Sequence, residues 1–294
     1  MFCKPSWTAD TTCTAGASSP SFDTGARLGS AEATTLQWIF RIAVAAEFIG
    51  HGAFGIRTKE AWVPYFAVVG IAEAWAWTLM PVIGIIDIAL GVLALVRPMR
   101  AVLLYMAFWG FLTACLRPLA GEGIWECLER AGNFGMPLAF LVLVGWGRSR
   151  TDWFSRLETP TVTPARVATL VWLLRFTTGM LLIGHGGIGA IMAKDWTPYF
   201  AVLGVGAATV EARALIPGVG WCEIALGLLV MARPSAALLV FVCVWKVGTE
   251  WLRPVAGEPL WEFIERGGSY AAPLALLLLR HWQARCETWH QRTR

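Results

Sequence analysis

Two histidines set among glycines, Gly50-His51-Gly52 and Gly184-His185-Gly186, carry the sharpest chemical signal in this chain. Imidazole is the commonest metal ligand and the side chain best suited to trade protons near neutral pH. Two such groups can meet as axial ligands of one haem or as part of a metal site, or they can mark two separate pockets. A matching polar set accompanies each: Asp87 and Glu223, Thr113 and Thr249, Arg117 and Arg253, Glu126 and Glu262, Glu129 and Glu265. Acid, base and guanidinium in this combination suit the binding of a quinone headgroup, a haem or a small anion. Trp125 and Trp261, beside the charged residues, can wall a pocket for an aromatic ligand. Glu47, one helical turn before His51, is expected to hydrogen-bond it and hold its tautomer. The same residue types also serve a purely structural network, with ion pairs fastening loops and a glycine-flanked histidine packed on a backbone carbonyl.

The elements that position these residues come from a duplication. Trp38 to Leu143 returns as Trp172 to Leu279, first at an offset of 134 residues and then at 136. Repetition over such a length means one structural unit written twice. The copies differ at three telling places: Glu47 corresponds to Leu181, Gly110 to Lys246 and Ala114 to Glu250. One copy's pocket is therefore expected to be the more chemically active.

Composition sets the solvent. Hydrophobic residues make up 56% and charged residues 15% of the chain, against about 25% charged in an ordinary soluble domain, and the mean hydropathy is +0.57. This predicts an all-α integral membrane protein with the lipid bilayer as its partner. The net charge of +4 is spread over segment ends with no basic stripe, which argues against nucleic acid.

A membrane helix needs roughly 20 apolar residues. Segments of that kind fall near 36–56, 79–97, 100–117 and 133–147, and again near 169–190, 215–232, 235–252 and 269–283. The expected organisation is a disordered tail (1–34), a first four-helix repeat (35–147), a linker (148–166), a second repeat (167–283) and a basic tail (284–294). The fourth span of each copy reaches full length only if its helix begins inside Trp125–Arg130 or Trp261–Arg266. The Pro64-Tyr65-Phe66 and Pro198-Tyr199-Phe200 segments suit short interfacial pieces. Arg and Lys collect on the side of both termini, so the positive-inside rule places the termini in the cytoplasm of a bacterial-type inner membrane. Four crossings per copy, eight in all, make the two repeats parallel and relate them by a pseudo-twofold axis along the membrane normal. Arg41 and Arg175 are expected to snorkel to the cytoplasmic interface. No removable signal peptide is expected.

Two attractive motifs lose their force in this setting. Gly50 to Gly55 and Gly184 to Gly189 satisfy G-x-G-x-x-G, but the dinucleotide reading requires a strand before and a helix after. The seven cysteines form no C-x-x-C pair, which argues against a dithiol centre.

Each copy resembles the DoxX-like four-helix membrane proteins, through an arginine and a glycine-rich turn in the first helix and an acidic residue before an apolar run. Those runs read Asp87-Ile88-Ala89-Leu90-Gly91 and Glu223-Ile224-Ala225-Leu226-Gly227. The resemblance implies kinship with the membrane subunit of a thiosulfate:quinone oxidoreductase and with relatives tied to redox chemistry or detoxification. The Arg-Pro-x-Ala-Gly-Glu…Trp-Glu…Glu-Arg motif and the tandem fusion stand apart from the residues that carry it. Three functions follow: a redox-linked subunit holding quinone or haem and working with other membrane redox subunits, a transporter with its site between the repeats, or a structural accessory subunit.

Overall fold

The computed structural model describes residues 28–205 and 210–292, and among these every regular element is a helix. In the first copy α1 is Ser30–Ile56, a 3-10 turn spans Glu60–Trp62, α2 is Val63–Val68, α3 Glu73–Val96, α4 Arg100–Leu119, α5 Ile124–Glu129 and α6 Ala131–Val144. A short α7, Arg150–Phe154, lies in the link. The second copy follows as α8 Pro164–Ala190, α9 Thr197–Val202, α10 Val210–Ala232, α11 Ala236–Val255, α12 Leu260–Ile264 and α13 Gly267–Arg292.

Among the described residues six helical stretches are long and apolar enough to cross a membrane, so the protein is a multi-pass membrane protein: α1, α3, α4, the α5–α6 stretch, α8 and the Arg213–Ala232 part of α10. The α5–α6 stretch starts within the charged segment, as its length requires. Large apolar side chains stand exposed along α3, α4 and α10, among them Ile85, Val96, Phe108, Phe111 and Leu228. In water such a surface would be an aggregation site; here it is the face for lipid.

The expected boundaries need three corrections. The tail of 1–34 falls mostly outside the described residues, but helix already begins at Ser30, because the Glu32 carboxylate accepts from the Gly29 N–H at 2.9 Å and Ala33 and Leu36 enter the core. The 148–166 link gives up its last residues to α8, where the Thr163 hydroxyl caps the helix by accepting from the Arg166 N–H. The tail expected at 284–294 is helical to Arg292, a direct continuation of α13.

Glycines set the pairing of helices. Within each copy the first long helix runs antiparallel to the second: a Cβ on Gly52 would stand 2.5 Å from the Gly84 carbonyl, and one on Gly91 3.0 Å from the Ala45 carbonyl. The Gly186–Gly220 and Gly179–Gly227 approaches repeat this between α8 and α10. Backbones this close are held by van der Waals contact and small side chains, which is how helices associate in lipid.

The copies also interlock. The charged α5 and the start of α6 pack on α8 of the second copy, while α12 and α13 pack on α1 of the first. Gly184 lies against the backbone of Leu128 and Glu129, and Gly50 against the backbone of Glu265. Each histidine-bearing helix is thus seated on the other copy's charged segment.

Arg41 and Arg175 do not snorkel freely. Both are buried, with their guanidiniums over Trp38 and Trp172, and Arg175 donates to the carbonyls of Met231 and Ala232 at the end of α10. Carbonyls at a helix C-terminus have no intrahelical partner, so a buried cation is satisfied there without reaching water.

Candidate functional site

Each first helix delivers its histidine to the end of the bundle where α2 or α9 folds back. His51 Nδ1 lies 2.8 Å from Asp87 Oδ2 on α3, and His185 Nδ1 bonds Glu223 on α10. The imidazoles stack on the tryptophans that open the next segment, Trp62 at 4.4 Å and Trp196 at 4.8 Å between ring centroids. One nitrogen and one ring face are fixed in each case. The Nε2 of each ring makes no hydrogen bond among the described residues.

Two cavities lie beside these dyads. The first, of about 310 Å³, is lined by His51, Trp62, Tyr65, Trp109, Thr113 and Arg117 among mostly apolar neighbours. The second, of about 330 Å³, is lined by His185, Trp196, Tyr199, Trp245, Thr249 and Arg253 in the corresponding positions, and also by Glu223 and Glu250. Both volumes fit the low end of small-molecule sites, and apolar walls with a few convergent polar groups are their usual chemistry. The Thr113 and Thr249 hydroxyls donate to backbone carbonyls of their own helices, so they line the walls with their donors already used.

In each cavity wall a tyrosine and an arginine are joined by a glutamate behind them. Tyr65 donates to Glu122, which accepts from Arg117 at 2.9 Å; Tyr199 donates to Glu258, which accepts from Arg253 at 3.4 Å. Burial pushes both tyrosine hydroxyls up from their ordinary pKa, so they stay protonated donors.

A third, polar cavity of about 300 Å³ lies between the copies, with Lys59, Glu126, Glu129, Arg130, Lys194, Glu262 and Arg266 among its walls. Its ion pairs cross from copy to copy. Arg130 reaches Glu265 at 2.5 Å and Arg266 reaches Glu129, while Lys59 meets Glu262 at 3.2 Å and Lys194 meets Glu126 at 2.8 Å. Arg117 also holds Glu126, at 3.3 Å.

Several sequence expectations change here. Glu47 does not bond His51: Asp87 takes the Nδ1 position, and the Glu47 carboxylate turns toward the glycines Gly132 and Gly268, which leave room at the crossing of α6 and α13. Trp125 and Trp261 line none of these cavities. Trp125 covers Gly187, and Trp261 packs edge-on to Phe54, so both serve as wedges between copies. None of the three cavities is lined by both histidines, which does not fit a single haem bound by the pair. Among the described residues no group of three or more His, Cys, Asp or Glu is placed to hold a metal ion.

The structure also adds residues that the first reading left out of the site: Trp62, Trp196, Trp109, Trp245, Tyr65, Tyr199, Glu122 and Glu258. Their signal was present, since each recurs in both copies at the shared offset.

No family model matches this chain, and no characterised protein or solved structure matches it either.

Proposed function

We propose that the chain is a redox-linked membrane subunit that binds a quinone-type headgroup at a histidine–carboxylate dyad. The observation that carries this reading is the dyad itself: an imidazole held through Nδ1 by a buried carboxylate, stacked on tryptophan, and set in a mostly apolar cavity of ligand size. A carboxylate on Nδ1 orients the ring and fixes its tautomer, so Nε2 is placed to take a proton from a ligand hydroxyl or return one. The aromatic walls supply stacking for a ring, and Arg117 and Arg130 favour electron-rich oxygen atoms.

The chain in this reading crosses a bacterial-type inner membrane eight times, with both termini cytoplasmic and two parallel repeats about an axis along the membrane normal. The last two crossings are α11 and α13. The former is interrupted by Lys246, Glu250 and Arg253, whose charges are paired inside the protein rather than turned to lipid. A DoxX-like ancestry and a further membrane redox subunit as electron partner belong to the same proposal.

Saturable binding of a short-chain benzoquinone/hydroquinone couple to the detergent-solubilised chain is expected, and the His51→Ala/His185→Ala double variant is expected to lose it. Equal binding by the double variant and the parent would sink the reading. A Soret band in the purified protein, lost in that double variant, would replace it with a haem site. The polar cavity between the copies favours a second reading, a transporter; solute flux in proteoliposomes blocked by Glu129→Gln would support it.

A further inference from the structure

The two dyads are not equivalent. In the second copy Glu223 is fully engaged, with one oxygen bonded to His185 Nδ1 and the other accepting from Trp245 Nε1 at 2.8 Å. Lys246, only 1% exposed, stands 2.7 Å from Glu250 and 3.9 Å from Glu223, and Glu250 is further tied to Arg253 and Arg266. Every strong polar group behind that cavity has a protein partner.

In the first copy the carboxylate is one methylene shorter. Asp87 reaches His51 through Oδ2, but its Oδ1 and the Trp109 Nε1 are buried with no hydrogen-bond partner. Gly110 and Ala114 replace the lysine and glutamate, and a further space of about 10 Å³, the size of a single water, opens beside Glu47, His51, Trp109 and Asn133. A buried donor left without its hydrogen bond is costly, so the arrangement favours a ligand oxygen that accepts from Trp109 Nε1.

Resting on the quinone reading above, we propose that the first copy alone is the ligand-binding one, and that it selects a quinol-type hydroxyl. That hydroxyl donates to His51 Nε2, the ring nitrogen left as acceptor when Nδ1–H faces Asp87, and accepts from Trp109 Nε1. An oxidised quinone carbonyl can only accept, so it forms the tryptophan bond and forgoes the histidine one. The second copy, with Trp245 already donating to Glu223, is a structural counterpart that holds the first in place.

Anaerobic equilibrium binding of a short-chain hydroquinone and of its quinone to the solubilised full chain tests this. One hydroquinone per chain is expected, bound about tenfold more tightly than the quinone, which is the weight of one hydrogen bond. Trp109→Phe is expected to weaken hydroquinone about tenfold, more than Trp245→Phe does. Two molecules per chain, equal affinity for the two forms, or sensitivity at Trp245 instead of Trp109 would overturn the assignment while leaving the quinone reading intact. No saturable binding of either form to the parent protein would overturn both. The stoichiometry and the affinity ratio are read on the unmodified chain, so a poorly folding variant does not blunt the test.

Discussion

Arg266→Ala is expected to destabilise the folded protein by about 3–5 kcal/mol, the usual cost of leaving a buried charge without its partner. Arg266 serves Glu129 of the other copy, Glu250 at 3.0 Å and, more loosely, Glu262 at 4.0 Å. Glu129 and Glu250 are both buried, so neither can recover the loss by hydration. Desolvating these charges was costly in the first place; the native set is stable because each guanidinium lies between carboxylates of both copies. Arg266→Met combined with Glu129→Gln is expected to recover part of the loss, because both members of one cross-copy pair are then neutral. The contrasting case is Lys194, whose side chain is 57% exposed opposite Glu126; Lys194→Ala is expected to cost at most about 1 kcal/mol. Unfolding in mixed detergent with rising sodium dodecyl sulfate measures all three. An Arg266→Ala protein as resistant as the parent would show that the crossed pairs do not hold the copies together.

Gly184→Ala is expected to have the next largest effect, above the roughly 1–3 kcal/mol typical of an overpacked core. A Cβ there would overlap the backbone of Leu128 and Glu129, and backbone cannot rotate away as a flexible side chain can. The same substitution at Gly218, which has open space around its missing Cβ, is expected to be neutral or slightly stabilising, since alanine is the better helix former. The same unfolding assay reads the comparison, and the size-exclusion profile reports whether Gly184→Ala still forms a monodisperse particle. Similar behaviour of the two variants would refute the seating of α8 on the α5–α6 corner. That seating also makes the stability effect predictive for function, because Gly184 directly precedes His185 and any shift there moves the dyad.

Much of the site was legible from spacing. The histidines, their acidic partners and the arginines recur at shared offsets, and the structure pairs His51 with Asp87 and His185 with Glu223. Helical periodicity suggested Glu47 as the partner of His51, four residues along the same helix, and this failed. Neighbours on one helix face are decided by sequence, but a side chain at a three-helix crossing turns toward the free volume left by glycines on the other helices, here Gly132 and Gly268. The tryptophans show the same limit. Trp125 and Trp261 carry the charged motif's aromatic signature yet act as wedges, whereas Trp62 and Trp196, far from that motif in sequence, cover the imidazoles.

The two glycine-flanked histidines owe their repetition and their long apolar helices to the sequence, because apolar run length and residue type are local properties that lipid reads directly. Which acid each imidazole meets, and that the charged segment of one copy seats the histidine helix of the other, was decided by tertiary packing. Cross-copy ion pairs such as Arg130 with Glu265 join residues far apart in the chain, and nothing in a spacing distinguishes a pair within a copy from one between copies. The inequality of the two pockets needed both. The substitutions Asp87 for Glu223 and Gly110 for Lys246 are written in the chain, but only close packing shows that one methylene leaves the Trp109 N–H without a partner while Trp245 keeps its own.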